Sequence, residues 1–345
     1  MALYIYITII SVIIHLVLIV PFINFLYHIQ FQRAHQDTRD PMNKPTPLFD
    51  SYHQHKSGTP VGGGVLVTII STILTLFFLA SFSAFGIFIS SNYESIVIEV
   101  AIILFAFLSF ALLGIYDDLN KMLHWRKKEF FGLKLNVKLY LEIALALIIA
   151  LGLYFGLGIH FIHVPFFGVF DFGWLYIIFA TFVIVAFANA VNITDGLDGL
   201  ASGVLMITLF SFWAIARTII DVPLSIFIAV WVGGLIAFLY FNIYPARIFL
   251  GDTGALSFGA TFAVIGLLLG KSFALPIIGG IFLIEIISSL AQLVSKKYRG
   301  KRIFKAAPVH LLLQTMGWEE PKIVMRAWLL SIVFALFGLM IAFLK

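Results

Sequence analysis

Apolar residues occur along this chain in nearly unbroken runs of about twenty, separated by shorter polar segments. A run of that length crosses the hydrocarbon of a bilayer as a helix, which satisfies its own backbone groups where no water can. Ten such spans are predicted, at 3–28, 62–90, 95–116, 139–159, 175–191, 203–220, 223–243, 255–270, 273–294 and 323–344. The Gly-Gly pairs at 233–234 and 279–280 predict places where helices pack closely. Between spans four and five, IHFIHVPFFGVFDFGW (159–174) alternates apolar and turn residues and predicts a short hairpin or interfacial cap. The first run has no basic n-region and no small-residue cleavage site, so it is read as a retained span and not a removed signal peptide. No internal repeat or low-complexity tract divides the chain, and residues 1–345 are read as a single all-α polytopic membrane domain.

Composition supports the bilayer reading. Of 345 residues, 61% are hydrophobic and 11% charged, with a mean hydropathy of +1.06. Soluble domains are nearer a quarter charged, and no single globular core could bury so many apolar side chains. The absence of cysteine excludes disulfides, thiolate metal sites and a cysteine nucleophile. The sequence pI near 9.3 is not read as a nucleic-acid signal, because in a membrane protein the arrangement of charge matters more than its sum. Segments after odd-numbered spans, with Arg326 at the entry to the last span, carry 19 of the 22 Lys and Arg residues, leaving Arg217, Lys271 and Lys345 elsewhere. By the positive-inside rule the basic segments are expected in the cytoplasm and both termini outside.

Five aspartates then fall at helix ends on the basic side: Asp117 and Asp118, Asp195 and Asp198, and Asp252. Any one alone could simply solvate a loop end. The 195–198 pair has no Lys or Arg in its own loop, however, and carboxylates crowded at a membrane boundary repel unless a cation joins them. Hard oxygen ligands suit Mg²⁺ or Mn²⁺, which also bridge phosphates. If NAVNITDGLDGLASG (189–203) continues as a helix, Asn192, Asp195 and Asp198 share one side, with Gly196 and Gly199 allowing close approach. In FNIYPARIFLGDTGALSFG (241–259), Pro245 ends a helix and Gly251 and Gly254 flank Asp252, whose following helix start offers amides to an anion.

In GIYDDLNK (114–121), Lys121 is either an ion-pair partner of Asp117 on the helix surface or a ligand for a substrate phosphate. HQHKSGTPVGGG (53–64) could hold phosphate through its lysine and backbone amides, although glycines at a helix entry also serve packing alone. GLLLGKS (266–272) is no Walker A loop: its glycines are one residue too close and it falls on the other face. His15 is read as a packed helix residue. Glu285 is read as structural, half a bilayer away from the aspartates. The basic segment KKYRGKRIFK (296–305) is a topology signal that can also attract anionic lipid or nucleotide.

Taken together and in order, His53-x-x-Lys56-x-Gly58-Thr59-Pro60, DD-x-x-K, N-x-TDGLDGLA, FxGDTG and GWEEPKIVMR (317–326) resemble the polyprenyl-phosphate N-acetylhexosamine-1-phosphate transferase superfamily. Within it they are most similar to the phospho-N-acetylmuramoyl-pentapeptide transferases, over nearly the whole chain. The resemblance implies Mg²⁺ on Asp252 and catalytic parts for Asp117, Asp118, Asp195 and His310, with Asp117 the proton acceptor. It implies substrate contacts at Lys56, Thr59, Lys121, Lys138 and Asn192, and uridine contacts at Gly196, Leu197, Asp198, Asn242 and Phe249. The implied reaction joins UDP-MurNAc-pentapeptide and undecaprenyl phosphate at a bacterial inner membrane, in an enzyme that is often a homodimer. A sister reaction on UDP-GlcNAc or another UDP-HexNAc is the nearest rival, and a non-catalytic transporter or scaffold of the same fold is a third reading. The chain departs from the family where three consecutive histidines are usual: it has His310, Leu311 and Leu312, and leucine makes no polar contact. It also has VGGG (61–64) where TMGG is usual, and Glu142 where glutamine is usual.

Overall fold

A computed structural model describes residues 2–32, 52, 56–127 and 133–344. The chain is a polytopic helical membrane protein. Nine helices among the described residues are long and apolar enough to span a bilayer. In order they are α1 (Ala2–His28), α2 (Gly63–Ala84), α3 (Ile96–Lys127), α4 (Leu135–Leu151), α5 (Leu175–Thr194), α6 (Leu200–Thr218), α7 (Val222–Asn242), α8 (Gly251–Leu268) and, last in the chain, α12 (Glu320–Phe343). The expected run at 273–294 is helical but divided: α9 (Ala274–Ile278) stops at Gly279 and α10 (Gly280–Arg299) starts anew. α10 is not among those nine: its buried side carries Glu285, Ser288, Gln292 and Ser295 and its last turn three basic residues, although Ile284, Ile287, Leu290 and Val294 are exposed on the other side. A short helix α11 (Val309–Thr315) lies between α10 and α12.

Helices α7 and α8 form the centre, each enclosed on nearly all sides. Around α8 pack α2, α3 and α5; around α7 pack α1, α2 and α6; and α12 closes over α6 and α9. Phe107 of α3 anchors the middle, its ring 5.2 Å from Trp231 and 5.7 Å from Phe258. Small residues set the closest crossing. A Cβ on Gly114 would run into the backbone of Asp252 and Thr253, so α3 reaches the start of α8 only because residue 114 has no side chain. That crossing lies one turn before Asp117 and Asp118.

Because the chain alternates direction, the ends of α1, α3, α5, α7 and α10 gather with the starts of α2, α4, α6, α8 and α12. The opposite end carries the predicted hairpin, β1 (Phe161–Val164) paired antiparallel with β2 (Gly168–Asp171). There the exposed Asp171 carboxylate is held below the usual range by its hydrogen bond from His160 and by the Gly173 amide. The same end holds a buried polar knot. Asp221 caps α7, accepting from the Leu224 amide at 3.1 Å, and shares a hydrogen bond with Glu99, which also accepts from Ser91. Two carboxyl groups can bond to each other only when one carries a proton. Burial pushes the Asp221 carboxyl up from its ordinary value. A carboxyl raised in the folded state contributes stability at low pH that is lost as pH rises through its folded value. Asp221→Asn keeps a capping oxygen and cannot ionise. The melting temperature of this variant in detergent, relative to the parent, is therefore expected to rise as pH rises. A gap that narrows with rising pH would refute this.

Candidate active site

The gathered ends carry two charged clusters. The first joins α3, α4 and α8. Lys138, one turn into α4, places its ammonium 3.0 Å from Asp117 and 2.5 Å from Asp252. Lys121 reaches the same two carboxylates, at 3.3 Å from Asp117 and 2.8 Å from Asp252. Two positive and two negative groups thus form a nearly closed ring. The other oxygen of Asp117 accepts from the Leu133 amide at 2.7 Å, which fixes the entry to α4. The i,i+4 pair expected between Asp117 and Lys121 is present, but the tighter partner of Lys121 is Asp252 of another helix.

Asp118 faces differently. Its carboxylate accepts from the Asp252 amide (3.1 Å), the Thr253 amide (3.0 Å) and the Thr253 hydroxyl (2.8 Å). Those are orphan donors of the first turn of α8, so the anion expected at this helix start is supplied by the chain itself. Gly251 enters that turn with φ of +79°, and a Cβ there would press on Asp118 and Val61. Asp252 is consequently held from both directions, through its backbone by Asp118 and through its carboxylate by the two lysines.

The second cluster joins the 56–62 segment, the α5–α6 turn and the start of α12. Lys56 lies 2.7 Å from Asp198 and 2.6 Å from Glu320, and all three are buried. Glu320 also accepts from the Asp198 amide at 2.6 Å, and Asp198 accepts from the Ala246 amide at 2.9 Å. Asn242 completes the scaffold, accepting from the Gly199 amide and Ser202 and donating to the Ile248 carbonyl.

Three expectations change here. The 189–203 segment does not continue as one helix: α5 ends at Thr194, Asp195 closes it, and Gly199 at φ +76° turns the chain into α6. Asn192, Asp195 and Asp198 are therefore presented by a helix end and a turn, and Asp198 is paired by a lysine 142 residues away instead of lacking a partner. The glycine-rich entry to α2 does not offer its amides to phosphate. Gly62 and Gly63 donate to the Phe249 carbonyl and Gly64 to that of Leu250, while Phe249 donates to Pro60, zipping the two segments together. Thr59 sits in the turn before this zipper, its amide on the Lys56 carbonyl. Lys56 itself is already matched by two carboxylates. His53 lies outside the described residues.

Glu285 is not remote from the site. The chain after α10 folds back along it, with the amides of Ile303 and Phe304 on Gln292 and Ser295 on the Lys301 carbonyl. This return delivers His310 to Glu285, whose carboxylate meets the His310 ring Nδ1 at 3.1 Å and its amide at 3.2 Å. The His310 imidazole lies directly against Gly196, where a Cβ would overlap it, and so stands beside the turn that carries Leu197 and Asp198. Leu311 is buried next to it. Glu320 is the residue that sequence reasoning left out, and Glu285 is one that it placed too far from the site. The pairing of Glu with Pro in GWEEPK is a helix-start signal for Glu320, but its target lies in a distant segment.

Among the described residues no three acidic or histidine side chains converge as a closed metal cage. The donor set nevertheless suits a hard cation. Oxygens of Asp117 and Asp252 converge on one ammonium, and Mg²⁺ ordinarily takes one or two carboxylates and fills its remaining positions with water and substrate phosphate.

Residues 100–270 match the family model described as glycosyl transferase family 4, a class of transferase that suits apolar spanning helices with a charged carboxylate-and-lysine site gathered at one end. The phospho-N-acetylmuramoyl-pentapeptide-transferase of Oceanobacillus iheyensis is 38% identical over 291 residues, covering 84% of this chain and 85% of that one. Enzymes of the same name from Rickettsia bellii (37% over 307 residues; 83% and 80% covered) and Rickettsia felis (36% over 331; 90% and 86%) are similar throughout. The chain belongs to the phospho-N-acetylmuramoyl-pentapeptide-transferase family.

Proposed function

We propose that this chain transfers phospho-MurNAc-pentapeptide from UDP-MurNAc-pentapeptide to undecaprenyl phosphate, giving lipid I and UMP for peptidoglycan synthesis. The observation that carries the proposal is the ring of Asp117, Lys121, Lys138 and Asp252 at one end of the membrane helices. A nucleotide donor arrives from water and a polyprenyl acceptor from the bilayer, so the reaction needs charged groups at the boundary. The excess of basic residues on that side supports a cytoplasmic site in the bacterial inner membrane, with both termini outside.

In the reaction an oxygen of the lipid phosphate attacks the sugar-bearing phosphorus of the donor. The bond from that phosphorus to the UMP oxygen breaks, and UMP leaves with the electron pair. Phosphate monoesters lose their second proton with a pKa of about 6, so the acceptor is mostly dianionic at neutral pH and asks little of a base. Lys121 and Lys138 are assigned to hold the reacting phosphates together, exchanging their carboxylate partners for phosphate oxygens. Asp117 steers both lysines and is placed to accept a residual proton from the lipid phosphate. Asp252, with Asp117 beside it, is assigned to hold Mg²⁺. When bound, the ion neutralises charge growing on the pyrophosphate as UMP leaves. Asp118 maintains the start of α8 that aims Asp252. His310, Asp195 and Asn192 border the α5–α6 turn, where Gly196, Leu197, Asp198, Asn242 and Phe249 are assigned to the uridine part. Lys56, matched by two acids, serves this neutral part of the donor and not its phosphates.

A donor panel with purified protein tests the proposal. UDP-MurNAc-pentapeptide is expected to release UMP at least about a hundredfold faster than UDP-GlcNAc, the scale of discrimination that lost polar contacts produce. Preference for UDP-GlcNAc would move the chain to the sister reaction. UDP-sugar binding with no UMP release would make it a non-catalytic relative.

A further inference from the structure

We infer that Glu320 is a positioning residue for donor recognition, holding Lys56 and the Asp198 turn in the geometry that receives the nucleoside part of the donor. This rests on the transferase reading of the site. One carboxylate oxygen of Glu320 takes both the Lys56 ammonium and the Asp198 amide at 2.6 Å, so it braces from a third segment a Lys56–Asp198 pair that also meets directly at 2.7 Å. Its second oxygen is buried and has no hydrogen-bond partner within the described residues. Lys56, Asp198 and Glu320 bring two carboxyl groups to one ammonium. Such a cluster disfavours a phosphate and suits a ligand that brings N–H or O–H donors and a carbonyl for the remaining Lys56 proton.

The placement of Glu320 on α12 matters. The helix start stabilises its charge, and Pro321 follows it within the first turn. Two turns further on, Trp328 donates its indole N–H to the Gly199 carbonyl at 3.0 Å and covers Gly203. The final helix of the chain therefore braces the α5–α6 turn at both its acidic side chain and its left-handed glycine. The phosphate-facing ring of Asp117, Lys121, Lys138 and Asp252 makes none of these contacts. Loss of Glu320 should consequently weaken donor binding and leave the chemical step largely intact.

The test uses full-length protein in detergent, with donor and lipid-phosphate kinetics, calorimetric binding of UMP, and thermal melting. Glu320→Ala is expected to raise the donor KM and the UMP Kd together by roughly 10- to 100-fold, as loss of hydrogen bonds to charged groups does. Its kcat should stay within about threefold of the parent, with the KM for lipid phosphate unchanged. Glu320→Gln keeps an accepting oxygen for both partners and should recover donor KM and UMP Kd to within about threefold. The inference is overturned by an unchanged donor KM and UMP Kd in Glu320→Ala, or by no recovery in Glu320→Gln. It is also overturned if the alanine variant loses kcat and both KM values together with its melting temperature. A parent protein that binds UMP in a Glu320-dependent way but releases none from the donor upholds the inference and refutes the transferase reading.

Discussion

Asp252→Ala is expected to lower UMP release by at least about a thousandfold, the scale on which enzymes lose rate when a preorganised electrostatic group is removed. Asp252 touches both lysines of the reacting ring and is also held through its backbone. Its two oxygens meet Lys121 and Lys138, its amide is held by Asp118, and it begins one of the two most enclosed spanning helices among the described residues. With alanine there, both lysines retain only Asp117, and the position assigned to the cation has lost its principal ligand. Lys121 is partly exposed and can turn to water, so the fold should tolerate the change. The measurement is UMP release by purified variant and parent whose elution profiles and melting temperatures match. Parent-like turnover in such a variant would remove Asp252 from the chemistry altogether.

The second large effect is on stability. Asp118→Ala removes one acceptor from three donors at the start of α8: the amides of Asp252 and Thr253 and the Thr253 hydroxyl. Thr253 is buried, and Gly114 brings the α3 backbone so close that water has little access. Leaving buried donors unmet costs about 1–3 kcal/mol each, so a loss on the order of 3–6 kcal/mol is expected, seen as a markedly lower melting temperature in detergent. Asp118→Asn, which retains an accepting oxygen, should be much milder. Activity in Asp118→Ala should fall as well, because Asp252 loses the backbone hold that aims it. If alanine and asparagine melt together near the parent, Asp118 does not brace α8, and a direct part in the reaction becomes the better assignment.

These two neighbours show what reading the sequence can do. Asp117 and Asp118 look alike in GIYDDLNK, and both were reasonable candidates for chemistry. Successive residues on a helix point about 100° apart, so one faces the lysines and the other faces α8. Which faces which depends on how α3 is rotated against α8, and Gly114 sets that contact. The Lys56 pairing is similarly silent in the sequence. Its own loop suggested a phosphate cradle, yet its partners come from Asp198 and from Glu320 near the far end of the chain. Glu285 has the hydrogen-bonded role read for it but was placed too far from the site, because 273–294 reads as a single span. The break at Gly279 and the return of residues 300–308 along α10 bring it to His310.

By itself the sequence determined the polytopic helical class with nine of its ten expected spans, the hairpin between the fourth and fifth spans, and the set of helix ends that share one side. Those follow from local rules: hydrophobic length fits the bilayer, turn residues reverse the chain, and alternation assigns each end to a face. Only the tertiary structure decided which acid meets which lysine, that Asp118 caps a neighbouring helix, and that the last helix braces the α5–α6 turn. Such pairings span up to 264 residues and depend on helix rotation and crossing distance. Packing contacts between helices set both, and no local stretch of sequence encodes them.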